Sequence, residues 1–180
     1  MNCFVDGYDR PCMRESEHVD PVSPGKIRDD EVLCRAGYTM HIKGGNPVVS
    51  LIRADELARG ELSVWRLTPP FEAADVDNIV NILRERSPSV RQPQELLRVF
   101  GLSAEKLRDL VEDCPICVVD DTDCGPAWDR HPKHCTLGGC KSLAFHELNN
   151  ADGESPLFYA MRRALLEEFR RNQIWAAAAT

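Results

Sequence analysis

Apolar positions change their period along the chain. Residues 31–35, 38–42, 48–52 and 61–67 are short runs rich in strand formers, and turn chemistry lies between them. The strongest turn is Lys43-Gly44-Gly45-Asn46-Pro47, because Gly and Asn accept positive φ and Pro47 fixes the exit. Residues 54–59 read as one helical turn stopped by Gly60. Thr68-Pro69-Pro70 ends this half, and helical spacing begins with Val76, Ile79, Val80 and Leu83 at i, i+3, i+4 and i+7. Ser87-Pro88 closes that helix. Pro93 is expected to open a second, short helix carrying Leu96, Leu97 and Phe100, with Gly101 as its C-terminal cap. Ser103 is the expected N-cap of a third helix, with Leu107, Leu110 and Val111 on one face. Ser155-Pro156 starts the last helix. Leu157, Phe158, Met161, Leu165 and Phe169 point inward there, and Arg162, Arg163, Glu167, Glu168, Arg170 and Arg171 form a solvated side.

These elements predict an α+β fold: a small, mostly antiparallel sheet with three or four packed helices and a Cys/His-rich metal-binding loop. The expected boundaries are a flexible arm over 1–29, where prolines and dense charge leave no period, one domain over 30–175, and a frayed tail over 176–180.

Composition narrows the function. At 180 residues the chain suits one domain with a real core, and its 43% hydrophobic and 28% charged content is ordinary for a globular protein. A net charge of −7 argues against a nucleic-acid binder held by phosphate contacts. No apolar run approaches the roughly 18 residues of a membrane span. The first residues lack a basic start followed by an apolar core, so no signal peptide is read there, and a cytoplasmic location is expected. In that compartment eight cysteines point to metal binding, catalysis or packing before disulfides.

Five of those cysteines and three of the five histidines fall in 114–146. Cys114 and Cys117 have the two-residue gap that lets one turn present two sulfurs to an ion, and Pro115 helps hold that turn. Cys135 and Cys140 would complete a four-ligand Zn²⁺ site, with His131, His134 and Cys124 as alternates and Gly138-Gly139 freeing the second turn. Small buried residues, a disulfide, a redox pair at Cys114–Cys117 and iron–sulfur ligation compete for the same positions. The carboxylates of 120–123 would suit Mg²⁺ at a strand end, and His131 with His134 would suit acid–base work. An acidic turn and metal ligation are the rival readings of those residues.

Arg35, His41-Ile42-Lys43, Ser50, Leu62-Ser63-Val64 and His131-Pro132-Lys133-His134 form a spaced pattern over about a third of the chain. It resembles a group of small bacterial proteins of unassigned function, whose pattern carries no cysteine cluster. The resemblance implies that Arg35, His41, Ser50 and His134 converge on one pocket. Arg, His and Ser on sheet strands are also similar to ADP-ribosyltransferase-like folds, where a Glu orients the ribose; Glu61 is the nearby candidate.

The leading expectation is a zinc-stabilised interaction or regulatory module with a protein partner. Its alternative is an enzyme, either a nucleotide transferase using Arg35, His41, Ser50 and His134 or a metal-dependent hydrolase using His131, His134 and the carboxylates of 120–123.

Overall fold

A computed structural model describes residues 26–59, 62–85, 94–110, 116–120, 133–138 and 156–178. Its centre is β1 (Val32–Tyr38), whose residues are buried on both faces after Val32. β4 (Leu62–Leu67) pairs antiparallel on one side of it, with Leu33 opposite Arg66, and β5 (Leu96–Ser103) on the other, with Arg35 opposite Phe100. Between β1 and β4 the chain makes a small hairpin of β2 (Ile42–Lys43) and β3 (Asn46–Pro47), then the short helix α1 (Ala54–Arg59). β6 (Cys117–Asp120), β7 (His134–Gly138) and β8 (Gln173–Ala176) complete a six-stranded sheet in the order β6-β7-β4-β1-β5-β8, every pair antiparallel.

Strand alternation sends two cores to opposite faces. Leu33, Leu62, Val64, Phe100 and Leu102 meet α1, α3 (Ala104–Arg108) and α4 (Pro156–Arg171) through Leu57, Leu107, Met161, Leu165 and Phe169. Cys34, Ala36, Trp65, Leu67 and Val99 meet α2 (Ala73–Glu85) through Ile79, Val80 and Leu83. The result is a three-layer α+β sandwich. Several expectations hold in detail: the 3.6-residue stripe of α2 is its buried face, and the Ser103 hydroxyl accepts from the Lys106 N–H at 3.2 Å as an N-cap. Gly44 and Gly45 take φ of 55° and 78° in the predicted turn. No helix among the described residues is long and apolar enough to cross a membrane.

Other expectations are corrected. Residues 96–103, read as a short helix and its cap, form β5. That strand lies between β1 and β8 with helices over both faces, so its sequence shows no clean alternation. Gly101 is no cap: a Cβ there would stand 2.8 Å from Val32 Cγ1 and 3.1 Å from Ile174 Cγ2. The runs 31–35 and 38–42 merge into β1 followed by a 3-10 turn, Thr39–His41, and 48–52 holds a second 3-10 turn, Val49–Leu51, in place of a strand. At the C-terminal end Ala176 pairs with Arg98 in β8, and the Ala177 N–H reaches Leu97 O at 3.0 Å, where fraying was expected from 176.

The last residues of the expected arm belong to the fold. Ile27 is in the core, Arg108 donates to Ile27 O at 3.0 Å and pairs with Asp29, and Glu31 forms a bidentate pair with Arg66 at 2.6 and 2.7 Å. Both partners of that last pair are buried, and two parallel hydrogen bonds, with further ones from Arg28 N–H and the Thr68 hydroxyl to Glu31, replace the water each charge gave up.

Candidate functional site

The 3-10 turns Thr39–His41 and Val49–Leu51 flank the β2–β3 hairpin, and the pattern residues Arg35, His41 and Ser50 gather at its base. The hairpin register pairs Ile42 with Pro47 and Lys43 with Asn46. Val48 N–H continues it by donating to His41 O at 2.9 Å, and the Ser50 hydroxyl donates to Met40 O at 3.1 Å. Met40 lies in the first turn and Val49 opens the second, and both side chains are exposed, at 50% and 45%.

Arg35 tethers the hairpin exit. It lies on the α4 side of β1 and donates to Leu51 O (3.1 Å), Ser63 O (2.7 Å) and the Glu56 carboxylate (3.3 Å). Burial lowers its pKa and the Glu56 charge opposes that, so one guanidinium fork ties the hairpin exit to β4 and α1. Two arginines of α4 act on the same segment from above. Arg162 donates to Ile52 O at 2.9 Å and Val49 O at 3.5 Å, and Arg170 reaches Pro47 O at 3.2 and 2.8 Å through two of its nitrogens. Both had been assigned to the solvated side of the helix. Their i, i+8 spacing, which stacks them on one helix face, is the signal that points to a shared target.

His41 closes the inner side. It occupies the third position of its turn, and Nδ1 accepts the N–H of Tyr38, the residue that caps the turn, at 3.3 Å. Burial pushes its pKa down to about 4, the Arg35 charge adds to the effect, a hydrogen bond to the Ala36 backbone opposes it, and Arg53 adds a smaller push downward. The ring is therefore neutral and committed as an acceptor near neutral pH. On the outer side the Gln94 carboxamide oxygen accepts from Thr39 Oγ1 at 3.0 Å and Met40 N–H at 3.1 Å. Glu56 and Gln94 carry no signal in the sequence that points to this constellation, and Arg162 and Arg170 are expected there only as solvated residues of the last helix.

His134 does not join them. It sits on β7 opposite Trp65, with ring centroids 5.4 Å apart, on the α2 side of the sheet, whereas Arg35 faces α4. The expected four-residue pocket is thus a three-residue cluster with one member on the other face. Glu61, the carboxylate expected to orient a ribose, lies outside the described residues, as do Cys114, Cys124, His131, Cys140 and the acidic residues at 121 and 123.

The expected zinc set is divided by strand register. Cys117 pairs with Gly138 and Cys135 with Asp120, at opposite ends of the β6–β7 ladder. Three residues of extended chain separate them by roughly 10 Å along the strands. Two cysteines on one ion hold their Cα atoms within about 8 Å, given Zn–S bonds of about 2.3 Å. Cys135 is instead a fully buried part of the α4-side core, its sulfur 3.8 Å from Lys133 O. Among the described residues no group of three or more His, Cys, Asp or Glu is placed to hold a metal ion. Cys34, buried on the other face, has its thiol pushed up to about 12 by desolvation, which makes it inert.

The described residues therefore define an antiparallel α+β sandwich that presents one braced hairpin. The chain matches no protein-family model, no curated protein and no solved structure.

Proposed function

We propose that the protein is an interaction module that uses the braced hairpin as its recognition surface and buries Met40 and Val49 against a protein partner. One observation carries the reading: the polar groups that looked catalytic in the sequence hold the hairpin in place. Arg35 is engaged by two backbone carbonyls and Glu56, His41 Nδ1 by the Tyr38 N–H, and the Ser50 hydroxyl by Met40 O. A nucleophilic serine needs a base within hydrogen-bond reach, and a general base needs an open lone pair toward substrate. In this arrangement Ser50 donates to a carbonyl and His41 Nδ1 faces inward. Two exposed apolar side chains, one on each of two tethered turns, suit binding instead, because the entropy of ordering the loop is already lost before a partner arrives.

Zinc remains part of the proposal as a stabiliser outside this surface, on Cys114 and Cys117 with ligands other than Cys135. Metal content of tag-free protein tests that half.

The surface is tested by placing a photo-crosslinking amino acid at position 49, at 40, and at Glu85 near the end of α2, in cells that produce the protein. A discrete adduct from positions 49 and 40, without its counterpart from 85, is expected. Equal adducts from all three positions, or none from 40 and 49, overturn the proposal.

A further inference from the structure

The partner's chemistry can be read from the rim of the hairpin, on the footing that the hairpin is the recognition surface. The chain as a whole is acidic, with net charge −7. Residues 39–53 depart from this, with Lys43 and Arg53 and no carboxylate. α4, which packs over the hairpin, carries four arginines against two glutamates. The cations reach the apolar pair itself: the Arg162 guanidinium lies on the carbonyl of Val49, and Arg170 lies on that of Pro47. Arg163, the next residue of α4, stacks over the exposed Tyr159 ring at 5.9 Å, which extends the mixed aromatic and cationic surface toward the start of the helix. Of the nearby acids, Asp55 is paired with Arg53, Glu56 with Arg35 and Arg53, Glu167 with Arg170, and Glu168 with Lys106 and Arg171, while Glu95 joins Thr39 through hydrogen bonds of its backbone on the outer side. Among the described residues the hairpin and α4 carry more cations than carboxylates, on a chain of net charge −7.

We infer that the hairpin takes an acidic segment of a partner protein, in which apolar side chains seat on Met40 and Val49 while flanking carboxylates meet the cationic rim of Lys43 and α4. The apolar pair supplies the anchor, and the rim supplies orientation and on-rate, the usual division of labour at such surfaces. The net negative charge of the chain disfavours the same segment elsewhere on average, which adds to selection of the docking position.

The test is a selection from a random peptide display library on the full-length protein. It is followed by fluorescence anisotropy of the enriched peptides against wild type, Val49→Ser and Lys43→Glu. Both substitutions fall on exposed positions, and circular dichroism confirms the fold of each. Enriched peptides are expected to carry Asp or Glu beside aromatic or aliphatic residues, and to weaken about tenfold with either substitution. Their affinity should also fall steeply as salt rises. Neutral or basic peptides that still lose affinity to Val49→Ser would overturn the acidic chemistry and leave the hairpin as the surface. Peptides indifferent to Val49→Ser would remove the surface and this inference with it. An oligothymidine that competes with the peptides and binds Val49→Ser as well as wild type would show that the rim reads phosphate, which also overturns it.

Discussion

Replacing Arg35 with methionine keeps the aliphatic stem and removes every donor of the fork. Leu51 O and Ser63 O lose hydrogen bonds of 3.1 and 2.7 Å inside the α4-side core. A buried acceptor stripped of its donor costs about 1–3 kcal/mol, so the pair costs about 2–6 kcal/mol. Two terms offset part of this. Methionine carries no desolvated charge, and Glu56 keeps Arg53 at 3.3 Å while remaining 23% exposed, so it is not left as a stranded ion. The net loss should be about 3 kcal/mol, which for a domain of this size lowers Tm by about 6–12 °C. Calorimetry gives the global number, and amide hydrogen exchange should quicken over 47–52 well beyond its change in α2. Arg35→Lys should fail to restore either, since one ammonium on a flexible stem cannot reach two carbonyls and a carboxylate as a planar fork does. A Tm for Arg35→Met within about 2 °C of wild type, or a full rescue by lysine, would refute the bracing argument and reopen Arg35 as a group held for substrate.

Three further outcomes follow from the same structure. His41 has a folded pKa near 4 against 6.5 unfolded, so the unfolded chain binds more protons between those values. Stability should therefore be complete above pH 6.5 and fall as pH drops toward 4, by at most about 3 kcal/mol, and His41→Gln should flatten that part of a urea-denaturation pH profile. Gly101→Ala forces a Cβ to within 2.8 Å of Val32 Cγ1 and should cost about 1–3 kcal/mol in the same assay, although the backbone there is ordinary strand. Elemental analysis should find zinc in the Cys135→Ser variant at the wild-type ratio and none in Cys117→Ser; equal loss in both would mean that the β6–β7 register does not separate the ligands as Cα pairing indicates.

How much of this was legible beforehand depends on what each element packs against. α2 lies on one face of the sheet with its other side in solvent, so its stripe of Val76, Ile79, Val80 and Leu83 is plain in the sequence. β4 was equally readable as Leu-Ser-Val-Trp. β5 was not: both of its faces are covered, Leu96, Leu97 and Phe100 fit a helical spacing by coincidence, and Pro93 and Gly101 mimic a helix start and cap. β8 was lost in the alanines that follow it, although Ile174 and Trp175 are strand formers. The run Val48–Ile52 looked like a strand because of its β-branched residues, but two arginines distant in sequence take its carbonyls and a third takes that of Pro47 just before it, and no local signal reports that. The resemblance grouped Arg35, His41, Ser50 and His134, and His134 lies on the other face of the sheet. The hydrogen bonds of the other three could not be read beforehand, because a spaced Arg, His and Ser look the same whether they face a substrate or a backbone.

At the hairpin the partners of those polar atoms are backbone groups and Glu56. A two-residue apolar pair on an unbraced loop would fold back onto the nearest core and leave nothing to recognise. Here the return path is closed: the carbonyls of Pro47, Val49, Leu51 and Ile52 are held by guanidinium groups from β1 and α4, and the turn before them is pinned by His41 inside and Gln94 outside. The same arginines that fix the backbone leave their charge at its edge. On the proposed reading of the hairpin as a recognition surface, bracing and electrostatic steering would come from one set of side chains, so a charge reversal at Arg162 or Arg170 should weaken binding both by loosening the hairpin and by changing the rim charge. Lys43, which the structure gives no bracing role, separates the two effects: its reversal should slow association while leaving Tm unchanged.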